Sequence, residues 1–112
     1  MSPQDTATVL AKITKVLAEA APTLSILHLD ALFAVAQDEG KTVQEYTTVL
    51  GRPLTTVSRQ LLDVSDTARA GVADPLGFLQ RRQDPNNLRQ FRYYLAPKGR
   101  ALLFRLEKVM KA

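Results

Sequence analysis

Apolar side chains recur at helical spacing along the first third of the chain. Ser2 is a favourable N-cap and Pro3 a favourable first residue for a helix that is predicted to end near Ala21. Its apolar stripe consists of Val9, Leu10, Ile13, Val16, Leu17 and Ala20. A second helix is predicted from about Ser25 to Glu39, with Gly40 as its C-terminal stop. Its expected core positions are Leu29, Leu32, Phe33 and Ala36.

Two shorter helices joined at a glycine are predicted next. Thr42 and Glu45 have the spacing of a capping box, and Gly51 is suited to end that helix in a left-handed conformation. Pro53 opens the following helix, whose apolar stripe is Val57, Leu61 and Val64. The residues off this stripe are expected to face outward, and they are Thr55, Thr56, Ser58, Arg59, Gln60 and Asp63.

The remaining pattern predicts a hairpin and a last helix. Residues 65–76 have no clear period and are predicted to be irregular, apart from one possible helical turn. Two strands, Phe78–Arg82 and Gln90–Ala96, are predicted around a turn formed by Asp84, Pro85, Asn86 and Asn87. Pro97 begins a final helix with an apolar stripe of Ala101, Leu102, Leu103, Leu106, Val109 and Met110. The predicted fold class is therefore mainly α with a small β-hairpin (α+β).

Composition and charge narrow the function classes. The 112 residues, 46% hydrophobic and 23% charged, are typical of one globular domain. The net charge of +4 is unevenly distributed, because residues 1–51 carry −3 and residues 77–112 carry +7. Such asymmetry indicates a polyanionic partner, although a basic solvated face is the common alternative.

Several classes find no support in the sequence. There is no cysteine, so disulfides and thiolate metal sites are excluded, and we expect no metal and no cofactor. His28 is the single histidine and is expected to be a structural or surface residue. The sequence therefore lacks the convergent catalytic groups that an enzyme needs. Neither a signal peptide nor a membrane-spanning run is recognisable, so a cytoplasmic location is expected.

The two short helices and the basic hairpin together indicate nucleic-acid binding. The stretch from Thr42 to Val64 has the proportions of a helix-turn-helix, in which the second helix presents small hydroxyl, Gln and Arg side chains to the major groove. The hairpin concentrates four arginines, Arg81, Arg82, Arg89 and Arg92. Arginine suits phosphates and a narrow minor groove, whereas a merely charged edge strand would avoid unwanted pairing.

Two stretches resemble the MarR-like winged-helix transcriptional regulators. T-V-Q-E-Y-T-T-V-L-G-R-P-L-T-T-V-S-R-Q-L-L, from Thr42 to Leu62, is similar to the helix-turn-helix of that family. G-F-L-Q-R-R-Q-D-P-N-N-L-R-Q-F-R-Y-Y-L-A-P-K-G-R-A-L, from Gly77 to Leu102, is similar to its wing and the start of the next helix. The resemblance covers roughly residues 25–110.

The resemblance implies a dimeric, double-stranded DNA-binding regulator, with the helix after Pro53 in the major groove and the hairpin as a wing in the minor groove. Ser58 and Arg59 match positions that contact DNA, and Arg89 matches the arginine of the wing tip. Asn87 stands where the family usually has the aspartate of an ion pair that orients the wing. The full set expected to contact DNA is Thr55, Thr56, Ser58, Arg59, Gln60, Arg81, Arg82, Asn86, Asn87, Arg89 and Arg92.

The single domain is expected to have three parts. Residues 1–24 form an N-terminal dimerisation helix, residues 25–96 the winged-helix core, and residues 97–112 a C-terminal helix that also serves dimerisation. A homodimer that represses transcription from a palindromic operator is the leading hypothesis. The alternative is a winged-helix module that binds another protein without specific DNA binding. A small-molecule effector remains possible, and the sequence names none.

Overall fold

The computed structural model describes residues 2–67 and 75–111, which form five helices and one antiparallel hairpin. The mainly α fold with a small β-hairpin is confirmed. The elements in chain order are α1 (Pro3–Ala20), α2 (Ile26–Gln37), α3 (Val43–Leu50), α4 (Leu54–Val64), β1 (Leu79–Asp84), β2 (Asn87–Leu95) and α5 (Pro97–Lys111).

Helix boundaries follow the local capping signals. The Ser2 hydroxyl accepts a hydrogen bond from the Asp5 amide at 3.1 Å, and Thr42 and Glu45 form the predicted capping box at the start of α3. Gly51 closes α3 with a φ of 65°, a left-handed conformation that disfavours residues with a Cβ. Helix α2 ends at Gln37, two residues before the approximate end predicted at Glu39, because the backbone leaves the helix at Asp38.

The core of the winged helix lies between α2, α3, α4 and the base of the hairpin. Leu32 and Val35 of α2 are fully buried against the predicted stripe of α4, which is buried along its whole length. Leu29, Phe33 and Ala36 are only partly buried. The inward face of α2 is thus rotated slightly from the predicted one, and besides Leu32 it consists of Ala31, Ala34 and Val35.

The strands of the hairpin extend farther towards its tip than the sequence predicts, and the turn between them is the predicted one. Arg81 pairs with Tyr93 and Asp84 with Asn87, so Pro85 and Asn86 alone form the connection. The prediction that residues 84–87 form the turn is confirmed, since Asp84 and Asn87 are the first and last residues of a four-residue β-turn between the two strands. The irregular stretch predicted at 65–76 falls largely on residues 68–74, which lie outside the described residues.

Helices α1 and α5 pack against each other beside this core. Val16 is the buried residue of α1, and it meets the same cluster as Leu102 and Leu106 of α5. Arg105 and Glu19 form an ion pair between the two helices. The N-terminal half of α1 is largely exposed, and the molecule is elongated, measuring 48 × 30 × 22 Å.

Candidate nucleic-acid interface

The outward face of α4 carries three exposed side chains suited to contacting a duplex. Thr55, Ser58 and Arg59 are exposed, and Thr56 is partly exposed at the edge of this face. Within the described residues, the Arg59 guanidinium has no hydrogen-bond or ion-pair partner. Two hydroxyls and an uncommitted guanidinium on one helix face are groups that can reach base edges and phosphates.

Gln60 corrects the prediction for this helix. It is only 8% exposed, and its Oε1 accepts a hydrogen bond from Arg52 Nε at 3.1 Å. Gln60 lies three residues after Val57, which places it on the inward face of the helix. The prediction that Gln60 faces outward is therefore wrong, because helical spacing rather than residue type decides its direction.

The side chains of Arg52 and His28 join α4, and the turn before it, to α2. Arg52, in the turn before α4, donates from Nη1 to Asp30 Oδ2 at 2.8 Å and from Nη2 to the Leu27 carbonyl at 3.3 Å. His28 Nε2 lies 3.0 Å from Asp63 Oδ2, and its Nδ1 lies 2.7 Å from the Ser25 hydroxyl. His28 thus has the structural role expected of it, and Arg52 is an anchor that its residue type alone did not reveal.

The arginines of the hairpin divide between its two faces. Arg81 stacks on the ring of Phe91 at 3.8 Å, on the face that also carries Arg89. Arg82 stacks on Tyr94 at 4.3 Å on the opposite face and donates to Gln80 Oε1 at 3.0 Å. Stacking on Phe91 and Tyr94 restrains both side chains while leaving their charge available.

The hairpin tip is organised by two side chains that accept backbone hydrogen bonds. Asp84 Oδ1 accepts from the Asn86 amide at 2.9 Å, and Asn87 Oδ1 accepts from the Arg89 amide at 3.1 Å. The Asn86 amide and then the Arg92 guanidinium hold the pKa of the Asp84 carboxyl below its usual range. The Arg89 side chain has no partner among the described residues and is exposed at the tip.

Arg92 differs from the other three arginines of the hairpin. Its Nε and Nη2 each lie 3.1 Å from Asp84 Oδ2, and its Nη1 donates to the Gly40 carbonyl at 2.8 Å. All three guanidinium nitrogens therefore point at groups within the chain, and Arg92 is not presented in the way that Arg89 is.

A cleft of about 300 Å³ joins the helix-turn-helix to the hairpin. Ser58 of α4 lines one wall, and Arg81 and Arg89 line the other. The structure thus brings these three predicted residues together on one side of the molecule. Arg82 lies on the other face of the hairpin, Asn86 and Asn87 lie at its tip, and Gln60 and Arg92 point inward.

Neither a group of metal ligands nor a membrane-spanning helix is present in the described part of the chain. No group of three or more His, Asp or Glu side chains at residues 2–67 and 75–111 is arranged to hold a metal ion. Over the same ranges, every helix is too short or too polar to cross a bilayer.

Comparison with known proteins identifies the fold. No family model matches the chain, and a search of the curated proteins gives no match. Among solved structures, a MarR-family transcription regulator aligns over 94% of this chain with a TM-score of 0.64 and 22% identity. The chain spans 61% of the length of that regulator.

Two further solved structures have the same arrangement. A transcriptional regulator from Thermotoga maritima aligns over 96% of this chain and 68% of its own, with a TM-score of 0.72 and 18% identity. The transcriptional repressor CouR, bound to a 23-mer DNA duplex, aligns over 97% and 69%, with a TM-score of 0.64 and 21% identity. The α3–α4 pair followed by a basic hairpin therefore belongs to the winged helix-turn-helix fold of the MarR-family transcriptional regulators.

Proposed function

We propose that this chain is a sequence-specific, double-stranded DNA-binding transcriptional regulator. The observation that carries the proposal is the cleft between α4 and the hairpin, with Ser58 on one wall and the uncommitted Arg89 on the other. The uncommitted Arg59 follows Ser58 on the exposed face of α4. A major-groove helix and a minor-groove hairpin need such groups on one side of the protein. The DNA duplex bound to CouR, a protein of the same fold, is consistent with this use.

The contacts divide between the two grooves. Thr55, Ser58 and Arg59 read base edges in the major groove, with Thr56 beside them. Arg89 enters the minor groove, and the stacked Arg81 and Arg82 neutralise phosphates on either side of it. Asn86 and Asn87 accompany Arg89 at the tip. The proposal assigns Gln60 to positioning α4 and assigns no catalytic step to the chain.

The regulator acts as a homodimer on a palindromic operator. The apolar stripe of α1 is longer than the surface that α5 covers, so Leu10 stays 54% exposed, and Phe104 of α5 is 59% exposed. A second copy would cover both, and also an adjoining cleft of about 500 Å³ lined by Ile13, Phe33, Leu103, Leu106 and Met110. Residues 1–24 and 97–112 are then the dimerisation arms around the core at 25–96.

Repression is the regulatory direction that we propose. Occlusion of a promoter requires only tight DNA binding, and CouR is described as a transcriptional repressor. A reporter placed downstream of the selected operator tests this direction, since a repressor lowers its expression and an activator raises it.

Selection of duplexes from a random pool at two salt concentrations tests DNA binding. The expected sites have two-fold symmetry with half-sites about 10 base pairs apart, and affinity falls steeply with salt. Arg59→Ala and Arg89→Ala are expected to weaken binding by about 10-fold each, and Arg59→Ala also relaxes sequence preference. Lys15→Ala, which removes an equal charge from α1, is the control. Binding to no duplex at low salt would favour the protein-interaction alternative.

The mass of the chain in solution tests the dimer separately. Light scattering is expected to give twice the mass of one chain, and Phe104→Glu is expected to give the mass of a monomer with unchanged helical content. Exposed Val49 lies on α3, away from these helices, so Val49→Glu is the matched control. If the wild type is a monomer and binds an apolar dye, the dimer is contradicted. The apolar cleft between α1, α2 and α5 would then be a candidate site for a small-molecule effector.

A further inference from the structure

Arg92 is the tether nearest the hairpin tip. The base of β2 is held to the α2–α3 connection by backbone hydrogen bonds, from the Gly40 amide to the Tyr93 carbonyl at 2.7 Å and from the Tyr93 amide to the Lys41 carbonyl at 3.2 Å. Arg92 adds its hydrogen bond to the Gly40 carbonyl. Among the described residues, no hydrogen bond or ion pair joins residues 80–91 to a helix. The projecting part of the hairpin therefore begins at Arg92.

The same guanidinium also reaches the turn and the start of α3. Two nitrogens of Arg92 contact Asp84 Oδ2. The other carboxylate oxygen, Oδ1, accepts a hydrogen bond from the Asn86 amide in the turn. Arg92 Nη1 lies 3.7 Å from Glu45 Oε1, the oxygen that caps the Thr42 amide at 3.0 Å. One side chain thus connects the turn of the hairpin, the α2–α3 connection and the cap of α3.

The surroundings of Arg92 disfavour its release to a phosphate. Asp84 is only 4% exposed, so withdrawal of the guanidinium would leave a buried carboxylate without its counter-charge. Arg82 is the cross-strand neighbour of Arg92, and two arginines directly opposite repel each other unless one is neutralised. Asp84 neutralises Arg92, which leaves the charge of Arg82 available.

We propose that Arg92 is a positioning residue that sets the angle of the hairpin so that Arg89 reaches DNA, and that it does not itself contact a phosphate. This inference rests on the proposed DNA binding. Arg89 lies three residues closer to the hairpin tip than Arg92, or roughly 10 Å away at 3.3 Å per residue. A rotation of about 10° at Arg92 would move Arg89 by nearly 2 Å, which is enough to break a direct hydrogen bond.

A double-mutant cycle separates positioning from contact. Arg92→Met and Arg89→Ala are each expected to reduce affinity for the selected operator by about 10-fold. If Arg92 acts through Arg89, the double variant loses about 10-fold as well, and its salt dependence equals that of Arg89→Ala alone. Losses that multiply to about 100-fold, with a further decrease in the salt slope, would overturn the proposal.

Asp84→Asn gives an outcome of opposite sign for the two roles. This substitution keeps the side-chain size and raises the net charge by one while loosening Arg92. A direct phosphate contact would then bind DNA more tightly and with a steeper salt dependence, whereas a positioning role predicts a loss similar to that of Arg92→Met. Arg92→Lys is expected to restore only part of the affinity, because an ammonium cannot bridge Asp84 and the Gly40 carbonyl as a planar guanidinium does.

Hydrogen exchange of the free protein provides a readout that does not depend on DNA. In Arg92→Met, the Asn86 and Arg89 amides at the tip are expected to exchange about 10-fold faster, while the amides of α4 keep their wild-type rates. Unchanged tip exchange would refute the tether even if DNA binding failed altogether. Faster exchange throughout the chain would indicate partial unfolding and also contradict a specific positioning role.

Discussion

The winged-helix part and the α1–α5 part of this molecule differ in what they bury. The four buried polar side chains among the described residues, Thr42, Gln60, Ser65 and Asp84, all belong to the winged helix or to the residue that follows α4. Helices α1 and α5 bury only apolar side chains and one glycine. Hydrogen-bonded polar groups accept few alternative geometries, whereas hydrophobic contacts are non-directional.

The difference indicates where each part gets its orientation. The helix face and the hairpin are oriented within one chain by contacts such as those of Arg52 and Arg92. The α1–α5 part leaves large apolar side chains such as Leu10 and Phe104 uncovered, so its final arrangement depends on what packs against it. Pre-orientation at one part and incompleteness at the other are what the proposed dimeric regulator requires.

Gly99 joins the two parts and provides the largest predicted effect. It lies in the first turn of α5, where an added Cβ would stand 2.2 Å from the Phe78 carbonyl oxygen and 3.1 Å from a Leu95 methyl group. The same carbonyl accepts a hydrogen bond from the Ala96 amide, so it cannot move freely. Gly99→Ala is expected to lower the free energy of unfolding by about 3 kcal/mol or more, although alanine favours helices.

Urea denaturation measures this loss, and Gly51→Ala is its control. Gly51 has a positive φ but no atom within 4 Å of an added Cβ, so only backbone strain of roughly 1–2 kcal/mol is expected there. A Gly99→Ala variant as stable as the wild type would mean that the two parts do not meet at this contact.

Tyr46 gives a smaller effect that is confined to the winged helix. Its side chain is 1% exposed, and its hydroxyl donates to the Asp38 carbonyl at 2.7 Å and accepts from the Lys41 amide at 3.3 Å. Burial raises the pKa of Tyr46 to about 12. Because the unfolded side chain titrates near pH 10, its stabilising effect is complete below pH 10 and is lost as the pH rises towards 12.

Unfolding of the wild type and of Tyr46→Phe between pH 8 and pH 12 measures this contribution. The wild type is expected to lose about 2–3 kcal/mol more than the variant across the upper two pH units. Tyr94→Phe keeps the aromatic stack on Arg82 and is expected to show the full wild-type loss. Parallel curves for the wild type and Tyr46→Phe would show that the hydroxyl is not buried in solution.

The sequence predicted the elements well because their signals are local. Ser2, Thr42, Gly51 and Pro97 each mark a boundary through their own geometry or through a partner a few residues away. The hairpin turn at residues 84–87 is predictable for the same reason, since all four are good turn formers. In the structure, the Asp84 side chain accepts a hydrogen bond from the Asn86 amide within this turn.

The candidate site was less predictable because its polar partners are distant in the sequence. Arg92 bonds to a carbonyl 52 residues away, and Arg52 bonds to Asp30, 22 residues away. Composition marks the hairpin as basic, but it does not tell which arginine is neutralised by the fold. Gln60 is a different case, since its spacing of three residues from Val57 already indicates an inward position and only its polar side chain suggests an outward one.

The smallest predicted effect compares one local motif in the two parts. Capping boxes start both α1, at Ser2, and α3, at Thr42. Residues 2–8 are exposed, so fraying there uncovers little, and Ser2→Ala is expected to cost about 0.5 kcal/mol. Thr42 is buried, and its hydroxyl accepts from the Glu45 amide and donates to Glu45 Oε1, so Thr42→Ala is expected to cost about 1–2 kcal/mol in the same urea experiment.

Equal losses would show that α1 is as firmly held at its start as α3, which would require its exposed half to be covered in solution. A loss at Ser2 that grows with protein concentration would therefore locate the covering surface on a second copy.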